Sequence, residues 1–165
     1  MKKEATLTLR KGEPRDAGAI AAFNAAMALE TEGRALIPEV IDAGVRRLIA
    51  TPSLGFYIVA EHEGRVVACL LVTHEWSDWR NGLFWWIQSV YVAPDWRRQG
   101  VYRRLYEHVR ELAQSEPGVC GFRLYVEKDN ATAHATYAAL GMSQTHYLIY
   151  EELKPGVRYL MPADK

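Results

Sequence analysis

Cysteine is scarce in this chain. Cys69 and Cys120 lie far apart, each inside an apolar run, "VVACLLV" and "GVCGFRLYV". Two such residues make neither a disulfide framework nor a zinc pattern, and both read as reduced, buried and structural. Histidines are few and unclustered, so no metal is expected. An excess of one charge is also lacking, since 20 lysines plus arginines stand against 20 aspartates plus glutamates. A neutral chain has no broad pull toward nucleic acid or an anionic membrane, so neither is expected as a partner and any basic site must be local. No run approaches the roughly 20 apolar residues that span a bilayer. The start, "MKKEATLTLRKGEP", lacks the apolar centre of a signal peptide. A cytoplasmic protein is the expectation.

What the chain does have is enough apolar residues, 49%, to build a real core in 165 residues, the length of one ordinary domain. No repeat, low-complexity tract or linker divides it. "TLTLR" alternates as a short strand. "EPRDAGAIAAFNAAMALETEG" is alanine-rich and helical from about Arg15, with Gly33 as its stop. Pro38 opens a second helix over 39–50, since its missing N–H costs little in a first turn. "GFYIVAE" and "RVVACLLVTHEW" read as a hairpin across "HEG". "WSDWRNG" is a loop. "LFWWIQSVYVA" is continuously apolar, as in a strand covered on both faces.

A helix over 101–113 follows, with Val101, Leu105, Val109 and Leu112 on one face. "CGFRLYVE" is a further strand. "NATAHATYAALG" is a helix capped by Asn130 and stopped by Gly141. "THYLIYEEL" reads as a closing strand. The order βααβββαβαβ makes a single α/β (α+β) domain over 6–154, with a mixed, mostly antiparallel sheet flanked by helices, and a tail over 155–165.

The stretch "VAPDWRRQGVYRRLY" sets a lone glycine among arginines where the most apolar strand gives way to a helix. The first N–H groups of a helix point outward with partial positive charge, and a glycine there lets an anion reach the backbone. Neither "GxxxxGK[ST]" nor "GxGxxG" occurs at this turn, which speaks against a nucleotide triphosphate or a dinucleotide as the ligand.

Strand, "P-x-x-R-x-x-G", helix, strand, then "N-x-x-A-x-x-x-Y-x-x-L-G-M" in that order resembles the GCN5-related N-acetyltransferase (GNAT) superfamily, over about 6–152. The resemblance implies acetyl transfer from acetyl-coenzyme A to an amine, by direct attack in a ternary complex. Arg97, Arg98, Gln99, Gly100, Val101 and Tyr102 match the family's pyrophosphate loop, with Arg103 following. Tyr102 stands where the family has a small residue, so its side chain must point away from the phosphate. The strand through Val90, Tyr91 and Val92 matches the one that pairs with the pantetheine arm. Asn130 and Tyr137 match positions facing the sulfur. Tyr137 is the candidate acid for the leaving thiolate, and the backbone near Val90 the candidate donor to the carbonyl oxygen.

The base is more open. An alkyl amine is largely protonated at neutral pH, so it needs a proton acceptor, directly or through water. Glu75 is the candidate, with His74 beside it and water as the alternative route. Glu30 and Glu32, where the first helix ends, match the acceptor groove. Trp76 and Trp79 with Asp78 form an aromatic and acidic group suited to a cation, and complete the candidate acceptor contacts. The acceptor is a small-molecule or peptide amine. A non-catalytic module that senses acyl-coenzyme A is the alternative, and a homodimer through an edge strand is plausible.

Overall fold

The apolar residues of the central strands divide between two cores, and that decides the architecture. The computed structural model describes residues 6–162. Its strands are β1 (Thr8–Lys11), β2 (Gly55–His62), β3 (Arg65–Ser77), β4 (Gly82–Val92) and β5 (Val119–Arg123); its helices are α1 (Ala17–Glu32), α2 (Pro38–Ala50), α3 (Val101–Gln114) and α4 (Ala131–Ala139). In β2, Tyr57 and Val59 join Ile20, Ala21, Val45 and Cys69 under α1 and α2. Between them, Ile58 and Ala60 point the other way and join Leu70, Val72, Trp85, Leu105 and Val109 under α3. Alternate residues of a strand face opposite sides of the sheet, so two helical layers sandwich it.

The sheet is mixed, in the order β1-β2-β3-β4-β5. The first three pairings are antiparallel, and β4 with β5 is parallel. The β5 pairing runs only from Leu83↔Val119 to Trp86↔Arg123. Beyond that point β4 continues for six more residues on β3 alone. There the β3 register shifts, with Leu71 opposite Ser89 but Val72 opposite Ile87, so Gln88 is an extra residue in the strand. The bulge resets the alternation. Ile87 and Val90, three apart, both pack on the α3 side.

The first helix starts where a buried carboxylate fixes the chain. Asp16 is 4% exposed, and both its oxygens take hydrogen bonds from Arg10, at 2.7 and 2.9 Å. Oδ2 also accepts the Glu13 N–H at 2.7 Å. Arg10 in turn reaches Glu61 on β2. Burial works to raise the Asp16 carboxyl, but the Arg10 guanidinium and the Glu13 N–H outweigh it and hold it below the ordinary range.

Two sequence expectations fail. The closing strand over "THYLIYEEL" does not form: residues 142–159 take up no helix or strand. High strand propensity needs a half-buried pleated surface to act on, and this segment meets none in its own chain. Instead the tail is tied further on. Ile37 N–H donates to Tyr159 O at 2.9 Å and Met161 N–H to Ala35 O at 2.8 Å, so part of the expected tail docks where α1 meets α2. The second failure is Cys120, which is exposed on β5, an edge strand of the sheet among the described residues. Cys69 is buried, and burial pushes its thiol up to about 12, as expected of a structural residue.

The Asp16 cluster gives a prediction. A carboxyl held low in the fold adds stability above its unfolded pKa and loses it as pH falls through the folded one. Acid unfolding should therefore show a loss below the ordinary carboxylate range that Asp16→Asn removes. That variant should also be about 3 kcal/mol less stable at pH 7, since it strips one partner from a buried ion pair. Denaturant unfolding across pH checks both.

Candidate functional site

The parting of β4 from β5 opens the sheet where the sequence placed its anion loop. After β4 a single turn of 3₁₀ helix, Pro94–Trp96, leads to the loop and α3. Arg98 and Gly100 both adopt left-handed backbone, with φ of 59° and 73°. A Cβ on Gly100 would meet no protein atom within 4 Å. Packing does not explain this glycine; its positive φ and an open approach to the backbone do. The first bond of α3 runs from Arg104 N–H to Gly100 O at 3.1 Å. The N–H groups of Val101, Tyr102 and Arg103 therefore have no carbonyl one turn back within the helix. They face outward at its positive end, which suits a diphosphate.

The arginines divide their work. Arg97 braces the loop: its guanidinium donates to Val92 O at 2.9 Å and to Glu30 at 2.7 Å, and lies over the Tyr91 ring. Tyr91 donates its hydroxyl to the same Glu30 carboxylate at 2.7 Å. These two bonds, Tyr91's first and then Arg97's, hold the Glu30 carboxyl below its ordinary value. Glu30 thus ties the end of α1 to the loop. Gln99 donates to Asp95 O at 2.7 Å. Arg98, Gln99 and Gly100 are exposed. Arg103 faces α4 across a cavity of about 610 Å³, lined also by Ala131, Thr132, Ala135, Thr136 and Ala139. These small side chains leave a slot between the two helices.

The other flank of the slot is α4. Asn130 caps it, its side-chain oxygen accepting the Ala133 N–H at 3.0 Å, so that oxygen is committed to the helix. Tyr137 lies edge-on to Tyr102, ring centroids 6.0 Å apart, and Tyr102 stacks on Tyr106 at 6.4 Å. Tyr102 has turned its ring onto the α3-side core, leaving its N–H at the loop. Its hydroxyl is buried and has no partner within hydrogen-bond distance. Burial raises the Tyr137 phenol. Tyr137 is consequently protonated through neutral pH.

On the opposite face of the sheet, Glu75 accepts from the indole N–H of Trp86 and from the guanidinium of Arg123, one bond to each oxygen. Gln88 donates to Thr73 Oγ1 at 2.9 Å and accepts from Tyr125 at 3.2 Å. The indole of Trp86 joins this open polar face, while Trp85 is buried. Arg123 and Tyr125 were missed. Their signal was present in "CGFRLYVE", where two polar-tipped residues stand two apart, of which Arg123 ends β5 and Tyr125 lies just beyond it.

Trp76 follows Glu75 in β3, and Asp78 and Trp79 sit in the turn beyond it. Asp78 accepts the Trp79 N–H in the β3–β4 turn at 2.9 Å, and Trp79 is 87% exposed. That turn meets β4 at Gly82, six residues before Gln88, or roughly 20 Å along a strand. Glu32 ends α1 and is exposed, and His74 bonds Ser53 O at 3.3 Å. Among the described residues no group of three or more metal-ligating side chains forms, and no helix is long and apolar enough to cross a membrane.

Residues 24–142 match the sequence profile of the acetyltransferase (GNAT) family. The chain belongs to the GNAT family. A possible acetyltransferase from Clostridium difficile 630 has 40% sequence identity and a TM-score of 0.84, over 90% of this chain and 97% of that one. Aminoglycoside N(6')-acetyltransferase type 1 of Acinetobacter genomosp. 13 is 33% identical over 64 residues, 39% of this chain and 43% of that relative's length. The aminoglycoside N-acetyltransferase AAC(6')-Iy, solved with CoA, has a TM-score of 0.75 at 12% identity, over 93% of this chain and 99% of that one, a likeness of fold alone. The mixed curled sheet and flanking helices are this GNAT chain's share of that fold.

The brace at Glu30 is open to measurement. In Arg97→Ala, loss of the cation should move the Glu30 carboxyl up toward its ordinary pKa. Side-chain carboxyl NMR would follow it, and an unmoved titration would assign the effect to Tyr91 alone.

Proposed function

We propose that this GNAT chain moves the acetyl group of acetyl-coenzyme A onto a primary amine, by direct attack in a ternary complex. The observation that carries the reading is the parting of β4 from β5, flanked on one side by the Gly100 helix start and on the other by Tyr137. In this reading the N–H groups of Val101, Tyr102 and Arg103 take the diphosphate, with Arg98 and Gln99 beside them. Arg97 and Asn130 shape the loop and α4 rather than contact it by charge. The pantetheine arm pairs with the free edge of β4 through Val90, Tyr91 and Val92, as an added strand would.

The amine nitrogen then attacks the thioester carbonyl carbon. Its oxygen gains charge, and the Val90 N–H is the proposed donor to it. As the C–S bond breaks, Tyr137 gives its phenolic proton to the thiolate and is reprotonated from water. The surplus amine proton leaves toward Glu75. Each oxygen of that carboxylate already accepts one bond, so a relaying water is the route that leaves the Arg123 and Trp86 contacts intact.

The acceptor lies on the polar face around Thr73, Glu75, Trp86, Gln88 and Tyr125, with Glu30 and Glu32 at its α1 edge. Aromatic rings beside carboxylates suit a cationic amine. Trp76, Asp78 and Trp79 would touch only an acceptor long enough to run down that face. The named activity of the aminoglycoside acetyltransferases supports a small-molecule amine over a peptide.

The experiment is amine-dependent release of free thiol from acetyl-coenzyme A across an amine panel, with the acetylated product weighed by mass spectrometry. Binding of the coenzyme with no amine-dependent release would make the chain an acyl-coenzyme A sensor instead. Tyr137→Phe should lower kcat by about 100-fold or more with little change in the KM for acetyl-coenzyme A, as loss of a general acid does. Gly100→Ala places a Cβ at positive φ, costing about 1 kcal/mol of stability. It should weaken coenzyme A binding by about tenfold; calorimetry that finds equal affinity would remove the loop from the site.

A further inference from the structure

Down the polar face from the gap, two arginines meet over one aromatic ring. The guanidinium carbon of Arg123 lies 3.8 Å from the centre of the Phe84 ring, and that of Arg80 lies 5.1 Å from it. The ring itself is seated. A Cβ on Gly121 would come within 2.9 Å of Phe84 Cε1, so β5 omits a side chain where the ring packs. Arg123 uses one nitrogen for Glu75, and its side chain is 31% exposed. Arg80 is exposed, and among the described residues it makes no ion pair; its guanidinium reaches the Ser77 hydroxyl at a long 3.4 Å. A guanidinium has five N–H donors, so most of those in this pair are free.

The acids of the same face have the opposite balance. Glu75 gives one oxygen to Arg123 and the other to Trp86, and Glu30 gives one to Arg97 and the other to Tyr91. Glu32 is exposed at the α1 edge, and Asp78 accepts the Trp79 N–H in the β3–β4 turn. Around Phe84, two cations thus stand against one carboxylate that is already engaged. We infer that the acceptor carries a carboxylate as well as its amine, and that Arg80 and Arg123 take that carboxylate beside Phe84. The inference rests on the acetyl-transfer reading and names its substrate class. A carboxylate fits a guanidinium through two parallel bonds, which fix its direction as well as its place. A polyamine finds no spare acid at this point and meets two positive charges instead.

The strand sets the spacing of the two ends. From Phe84 to Val90 β4 runs six residues, one of them in the bulge, or roughly 16 Å. The arginine pair lies at one end of that line and the N–H assigned to the thioester oxygen at the other. An α-amino acid holds its amine and carboxylate on one carbon and does not span it. The acceptor is therefore a linear amine whose carboxylate lies several bonds away: an ω-amino acid, or lysine through its side-chain nitrogen. Trp86 and Tyr125, ring centroids 6.1 Å apart, would flank its chain.

The test compares 6-aminohexanoate with hexylamine, glycine and an aminoglycoside, reading thiol release from acetyl-coenzyme A and the mass of the product. The aminohexanoate should have the highest kcat/KM, by about tenfold over hexylamine, as one charged hydrogen bond contributes. Arg80→Gln, in an exposed turn, should bring that ratio toward one by raising the KM for the aminohexanoate. Arg123→Gln is the second variant, and the same fall in the ratio is expected of it. Faster turnover of hexylamine or the aminoglycoside overturns the carboxylate assignment and leaves acetyl transfer standing. So does a ratio that neither substitution moves. Glycine as the best acceptor overturns the spacing. Coenzyme A bound by calorimetry, with no thiol released by any amine, removes acetyl transfer and this inference with it.

Discussion

A parallel strand that leaves its neighbour partway is the constraint on which the rest of this structure depends. β4 is held along its length by β3, yet β5 accompanies it only to Trp86. Backbone donors and acceptors on the abandoned half must find another partner, since polar groups of a buried strand are seldom left unpaired. The bulge at Gln88 comes at this point. It lets Trp85, Ile87, Val90 and Val92 all face α3 while Tyr91 reaches across to Glu30 on the other side. One inserted residue thus serves both cores and fixes where the gap begins.

Around that gap each element supplies something it could not supply elsewhere. α3 offers its positive end because Gly100 turns the chain in left-handed backbone. α4 offers small residues toward α3 and a phenol at its far end. Tyr102 shows how this chain fills a position where its family is small. The side chain folds back into the core, its ring packs against Tyr106 and Tyr137, and the loop keeps its N–H. Its unpartnered hydroxyl lies beside the very tyrosine assigned to proton transfer.

Most of the fold was legible because local pattern and tertiary role agree in it. Alternation marked the central strands, Pro38 marked the start of α2, and Gly33, Asn130 and Gly141 marked helix ends. The motif order sufficed for the family. What stayed hidden was contact between distant segments. No spacing rule announces that Glu30 holds Arg97 and Tyr91, or that Glu75 faces Arg123 across the sheet. Trp79 stands 87% exposed in the β3–β4 turn, two residues past the end of β3. The closing strand misled because propensity reports what a segment can pair as, not whether an edge lies within reach.

The bridge between Leu36 and Leu160 has a thermodynamic side. Residues 143–158 are a span fastened at both ends, not a dangling terminus. Fastening removes much of the freedom such a stretch would have, and that loss is met when the domain itself folds. Whatever later settles on the span therefore finds it already partly arranged, and surrenders less entropy than it would in ordering a loose end.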